Sequence, residues 1–187
     1  VHLGTLLTGA LLGPAEAGLF RIARQVATAL AKPSRLLIQV IYPEFARLVA
    51  AGRMDRLRRL LLQSAGLAAG GAILCMVLLV LAGPLVLELI GGASVQAAYP
   101  ILLWLGAAAV IDLWAFPLEP ALISVGRAGT ALAVRAATLA LFVPLLVIAI
   151  GQWGLLGAGF ATLAAAVLLM IGQLFPTIGV VNGKAAQ

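Results

Sequence analysis

Apolar residues run along this chain in blocks, not at the alternating positions of a strand or on the narrow stripe of a soluble helix. Five blocks, over 20 to 48, 64 to 90, 99 to 123, 129 to 150 and 154 to 178, predict membrane-spanning helices. Each is long enough to cross a hydrocarbon layer of about 30 Å, which takes roughly 20 helical residues. A shorter apolar stub covers 1 to 12. It is too short to span and opens on Val1, so its expected origin is the truncated end of an earlier transmembrane helix. It has no basic n-region and does not read as a signal peptide.

Glycine punctuates the connections. Leu12-Gly13-Pro14 turns the stub toward the first full helix, Ala51-Gly52-Arg53 ends that helix, Gly91-Gly92 ends the second, Gly126-Arg127 separates the third and fourth, and Gly151-Gln152-Trp153-Gly154 separates the last pair. The expected organisation is a five-helix portion over 13 to 178 and a cytoplasmic tail over 179 to 187, with no separate soluble domain.

Composition fixes the solvent. Of 187 residues, 64% are hydrophobic and 10% charged, against roughly 25% charged in soluble domains. Mean hydropathy is +1.18. The fold class is therefore an all-α integral membrane protein, a polytopic helical bundle, and the chain is expected to be a fragment of a larger one.

Charge sets orientation. Arg53, Arg56, Arg58 and Arg59 follow the first full helix against Asp55 alone, Arg127 lies in the next loop on that side, and Lys184 lies in the tail. The alternate loops carry Glu16 and no base. By the positive-inside rule the basic side is cytoplasmic, which with the bacterial resemblance below places the chain in the inner membrane. The stretch 55 to 63 also reads as a short interfacial helix, with Leu57, Leu60 and Leu61 on one side and arginines suited to anionic lipid.

Charges inside the spans carry more information, because a charged group at bilayer depth faces a bundle interior, a hydrated cavity or a partner. The first full helix holds Arg21, Arg24, Lys32 and Arg35 with Gln25, Thr28, Gln39 and Tyr42. At 100° per residue these fall in a polar stripe about 100° wide. One reading has Arg21 and Arg24 snorkelling to headgroups while Lys32 and Arg35 form internal ion pairs. The other is a basic cavity wall for an anionic substrate. Glu44 and Arg47, nearer the cytoplasmic end, read as a gate or an interhelical ion pair.

The third full helix carries the opposite sign. Asp112 and Glu119 are seven residues apart and share a helical face, with Pro117 and Pro120 interrupting the backbone. Broken spans of this kind line transport sites. A role in gating or in proton or cation coupling competes with simple pairing of either carboxylate to Arg135. Tyr99, Trp104 and Trp153 read as interface anchors. Neither a phosphate-binding glycine loop nor a metal-ligand spacing is present, so no cofactor or metal is expected. Topology and the stripe account for much of the formal +6 charge, which argues against nucleic acid as a partner.

These residues carry a resemblance. The segment Leu11-Leu12-Gly13-Pro14-Ala15-Glu16-Ala17-Gly18-Leu19-Phe20-Arg21-Ile22-Ala23, the polar-lined helix ending in Tyr42-Pro43-Glu44-Phe45-Ala46-Arg47-Leu48, and the basic amphipathic stretch after Gly52-Arg53 resemble the polysaccharide-biosynthesis flippases. These are the O-antigen and exopolysaccharide lipid flippases of the multidrug/oligosaccharidyl-lipid/polysaccharide exporter superfamily. Ala97-Ala98-Tyr99-Pro100, Ala121-Leu122-Ile123-Ser124-Val125-Gly126-Arg127 and Trp153-Gly154-Leu155-Leu156-Gly157 are similar to later signatures of that family, in the same order.

The resemblance implies a transporter and not an enzyme: most of the C-terminal lobe of a two-lobe protein that moves a polyprenyl-diphosphate-linked oligosaccharide across the cytoplasmic membrane by alternating access. It implies basic cavity residues at Arg24, Lys32 and Arg35, with Arg135 as a fourth. The implied partners are the lipid-linked oligosaccharide diphosphate, the N-terminal lobe, membrane lipids, and glycan polymerase or assembly proteins. One departure is Gly4, where many relatives carry an Asp. A multidrug or small-molecule antiporter of the same superfamily and a peptidoglycan-precursor flippase remain as alternatives.

Overall fold

The computed structural model of the chain describes residues 3–30, 32–92, 96 and 98–181, with the side chains of 3, 30, 32–40, 90, 91, 180 and 181 also outside the described set. Every described element is a helix: α1 (Leu3–Leu12), α2 (Pro14–Leu30), α3 (Lys32–Ala50), α4 (Met54–Gly91), α5 (Tyr99–Ala115), α6 (Leu118–Ser124) and α7 (Ala128–Val181). Three helical stretches among the described residues are long and apolar enough to cross a membrane, Met54–Leu89, Tyr99–Ser124 and Ala128–Gly179. The protein is an all-α, multi-pass membrane protein.

α1 and α2 form an antiparallel hairpin. Gly13 turns it with φ 100°, a region closed to most side chains, and Pro14 opens α2 where its missing N–H costs nothing. A methyl on Gly9 would stand 3.2 Å from the Ala17 Cβ. The stretch expected as one helix over 20 to 48 corresponds to α2 and α3, on either side of residue 31.

α4 shows why lipid has to be the solvent. One face, Leu61, Ser64, Ala68, Ala72, Leu79 and Leu87, is buried against the bundle. The opposite face is equally apolar and bare, with Leu67, Leu81 and Leu89 exposed by 78%, 75% and 78%. In water such a face would drive aggregation.

The amphipathic stretch 55 to 63 is not a separate interfacial helix. It runs without a break into the span as the first turns of α4, since neither Gly nor Pro intervenes before Gly66. Its apolar side packs on protein: Leu57 and Leu61 are buried with Phe45 and Leu48 of α3 and Ala121 of α6.

α5 is the central post. Ile101, Leu102 and Leu105 are buried among Phe20, Ala23 and Ala27 of α2, Leu79 and Leu87 of α4, and Leu146, Ala149, Ala158 and Ala161 of α7. It stops at Ala115, and after Phe116 and a fully buried Pro117 the short α6 begins with Pro120 in its first turn.

α7 consists of two helical arms that meet at Gly154, whose φ and ψ of 57° and −133° are not helical. Two close approaches establish that its arms are antiparallel. A Cβ on Gly157 would strike the Ala149 carbonyl, and one on Gly172 would stand 2.6 Å from Val134 Cγ1. Both contacts are symmetric about residue 153, as a helical hairpin requires. Each arm is long enough to span the membrane at 1.5 Å per residue. At the tip Trp153 and Trp104 both meet Phe160 edge-on, with centroids 5.7 and 5.8 Å apart, in the position of an interfacial aromatic cluster.

Candidate functional site

Three charged groups of the spans line a cavity of about 520 Å³ between α1, α2, α5 and both arms of α7. Arg24, Asp112 and Arg135 line it, joined by Thr138 and Thr162 and otherwise by Gly4 and apolar side chains. Thr138 is ten residues into its arm, about 15 Å along the axis at 1.5 Å per residue. That is half way across a core of about 30 Å, where water is otherwise absent.

Arg24 reaches the cavity over the backbone of α1. A methyl on Gly4 would come within 3.1 Å of Arg24 Nη1, 3.7 Å of Phe20 and 3.8 Å of Phe142. The missing side chain at position 4 is therefore what gives the guanidinium room. Asp112, on the cavity side of α5, lies within electrostatic reach of both Arg24 and Arg135. Its side chain is exposed and lines the cavity.

Arg135 does not enter the site as an unopposed base. Its Nη1 donates to both carboxylate oxygens of Glu119, at 3.0 and 3.2 Å. This ion pair ties α6 to α7 at the edge of the cavity, and between the two carboxylates of the sequence reading it is Glu119, not Asp112, that takes the bond. Glu119 itself is not among the cavity-lining residues.

Glu44 and Arg47 form a loose contact of 3.8 Å within one helix, with side chains exposed by 49% and 81%. The pair is not interhelical: the two residues are i and i+3 on α3 and close on each other. Lys32 and Arg35 belong to α3 by backbone, and their side chains lie outside the described residues.

Two polar cavity residues were not singled out by sequence, Thr138 and Thr162. Thr138 was accessible to inference, since it lies three residues from Arg135 on the same face. Thr162 was not: its hydroxyl donates to the Ala158 carbonyl at 2.8 Å, an arrangement common to any threonine in a helix. A larger crevice of about 670 Å³ between α2 and α4 is apolar apart from Gln25 and holds no charged group. Among the described residues no cluster of three or more His, Cys, Asp or Glu could hold a metal.

No known family profile matches the chain, and no solved structure matches it. It is similar to Inner membrane protein YghQ of Escherichia coli, 37% identical over 98 residues, a stretch that is 52% of this chain and 27% of that protein. The chain thus spans well under two thirds of that relative's length. Its apolar helices and its likeness to an inner membrane protein make it a multi-pass protein of the inner membrane.

Proposed function

We propose that the chain forms most of one lobe of a transporter that carries a polyprenyl-diphosphate-linked oligosaccharide across the cytoplasmic membrane. The observation supporting this most directly is Arg24, an arginine held at mid-membrane over a glycine, facing a cavity large enough for a charged headgroup. A guanidinium at that depth is costly unless a counter-charge meets it, and a diphosphate is a strong one because guanidinium pairs with phosphate through two hydrogen bonds. Lys32 and Arg35, on the same polar stripe of the sequence, would add binding groups.

The reaction involves no covalent step. Headgroup charge sits among the bases while the lipid tail stays in the bilayer, and transport follows from exchange between states open to opposite leaflets. The bases must hold the headgroup comparably in both states, since a ligand with a strong preference for one would stall there. A second lobe would close the polar wall that this lobe leaves open, with glycan polymerase or assembly proteins as further partners.

Asp112 favours a second reading, a small-molecule antiporter of the same superfamily. It and Glu119 offset Arg24 and Arg135, so among the described residues the site is close to charge balance, and an accessible carboxylate suits a cationic solute. The test is flipping of a fluorescent polyprenyl-diphosphate oligosaccharide in vesicles holding the complete protein. Flipping lost on Arg24→Gln and kept on Asp112→Asn supports the flippase; absence of flipping with uptake of organic cations that requires Asp112 supports the antiporter.

A further inference from the structure

A second cavity, of about 470 Å³, lies apart from the transport site, between the first turns of α4, the end of α5 with the start of α6, and the last turns of α7. All three walls come from helix ends on the side of the arginine-rich loop. The walls are apolar, formed by Leu62, Trp114, Leu174 and Ile178 among others, with Arg58 and Thr177 as the polar members. Thr177 offers no donor to a ligand, because its buried hydroxyl is already committed to the Gln173 carbonyl at 2.7 Å. Arg58 is thus the group that can bind polar matter there, and among the described residues it has no carboxylate partner.

The charge around the crevice selects its occupant. Arg58 lies four residues into α4, between Arg56 and Arg59 and close to Arg53, against Asp55 alone. The positive-inside rule puts these bases at headgroup depth in the cytoplasmic leaflet, where juxtamembrane bases attract anionic lipid. Below Arg58 the crevice is open to the bilayer: Leu62 is exposed by 62% and Trp114 by 50%. A molecule fitting both halves has a negative head and a hydrocarbon chain.

We infer that this crevice binds an anionic glycerophospholipid of the cytoplasmic leaflet, its phosphate on Arg58 and one acyl chain beside Trp114, Leu174 and Ile178. The lipid fills a gap between α4, α5 and α7 and so fastens the cytoplasmic ends of three spans. This site is independent of the transport reading and shares no residue with the cavity of Arg24.

Trp114 supplies the probe. With Trp104, Trp153 and any tryptophan of the complete protein outside this chain replaced by Phe so that Trp114 alone reports, the protein is reconstituted in phosphatidylcholine vesicles doped with phosphatidylglycerol or phosphatidylcholine carrying brominated acyl chains, which quench indole on contact. The expected result is several-fold stronger quenching by brominated phosphatidylglycerol at equal mole fraction, a preference that Arg58→Gln removes and Arg56→Gln leaves largely in place. Ala65→Leu, which narrows the crevice and spares every arginine, should remove it too and carries the test if Arg58→Gln does not fold. Equal quenching by the two lipids, a preference that survives Arg58→Gln or Ala65→Leu, or no quenching by either lipid because protein covers the crevice would each overturn the inference.

Discussion

The Tyr99 hydroxyl donates to the Val80 carbonyl across 3.2 Å, and Val80 is the residue whose helical acceptor Pro84 leaves unmet. Pro84 sits inside α4 and has no N–H to return four residues back. In lipid no water can take that carbonyl. The gap is filled from α5, and the fit is close: a methyl on Gly83 would stand 3.1 Å from the Tyr99 ring.

Tyr99→Phe should therefore destabilise the protein by about 1 kcal/mol, the net worth of a typical hydrogen bond. Pro84→Ala restores a backbone donor for Val80, so the tyrosine substitution should cost less in that background. Reversible denaturation in lipid–detergent micelles, run as a double-mutant cycle, measures the coupling. Additive effects would show that the hydroxyl and the proline are unrelated.

The hairpin in α7 makes a sharper prediction. A Cβ on Gly157 would collide with the backbone carbonyl of Ala149, while one on Gly151 meets nothing within 4 Å. Gly157→Ala must push the arms apart along their shared core of Leu146, Ala149, Ala158 and Ala161, at a cost on the order of 1–3 kcal/mol as for other overpacked sites. Gly151→Ala should be neutral or slightly stabilising, as removal of a helical glycine usually is. Thermal unfolding of the two variants side by side checks this, and similar midpoints would argue against the close antiparallel packing.

How much of this was readable beforehand depends on what each feature rests on. Long apolar helices after residue 54 were legible because lipid demands long apolar blocks, whereas the block over 20 to 48, read as one helix, is divided into α2 and α3; the fold-back was legible because Gly151 and Gly154 flank a tryptophan. Which of the two carboxylates pairs with Arg135 was not. Seven-residue spacing puts Asp112 and Glu119 on one face only while a single helix carries both, and α5 ends at Ala115 before Pro117 and Pro120. The phase is reset there, leaving Asp112 on the cavity and Glu119 on Arg135. The packing of Leu57 and Leu61 was equally hidden, since amphipathicity states that a face is apolar without saying whether lipid or α3 and α6 will cover it.

The Glu119–Arg135 pair should behave as a strut between α6 and α7. Removing one partner strands the other charge inside the membrane region, so Glu119→Gln and Arg135→Gln alone should each destabilise more than the double substitution. Half-exposed as these side chains are, the coupling is expected at roughly 0.5–3 kcal/mol, the range for residues in direct contact. The double-mutant cycle is read by thermal unfolding. A double variant as unstable as the sum of the singles would leave the pair without a structural role.

The last prediction concerns Gly4, whose missing side chain frees Arg24. An aspartate there would place a carboxylate next to Nη1, where a Cβ already comes within 3.1 Å, and the guanidinium would have an internal partner in place of a substrate. Gly4→Asp should raise thermal stability, because the half-buried arginine gains a hydrogen-bonded counter-charge, and, since many members of the family the chain resembles carry Asp there, it should weaken flipping less than Arg24→Gln does. Gly4→Ala introduces the same Cβ without the charge and only nudges the guanidinium aside, so it should keep most of the activity. If Gly4→Ala is as damaging as Gly4→Asp, space at this position is what matters; if Arg24→Gln itself leaves flipping intact, Arg24 does not bind the headgroup and Asp112 becomes the group on which the site turns.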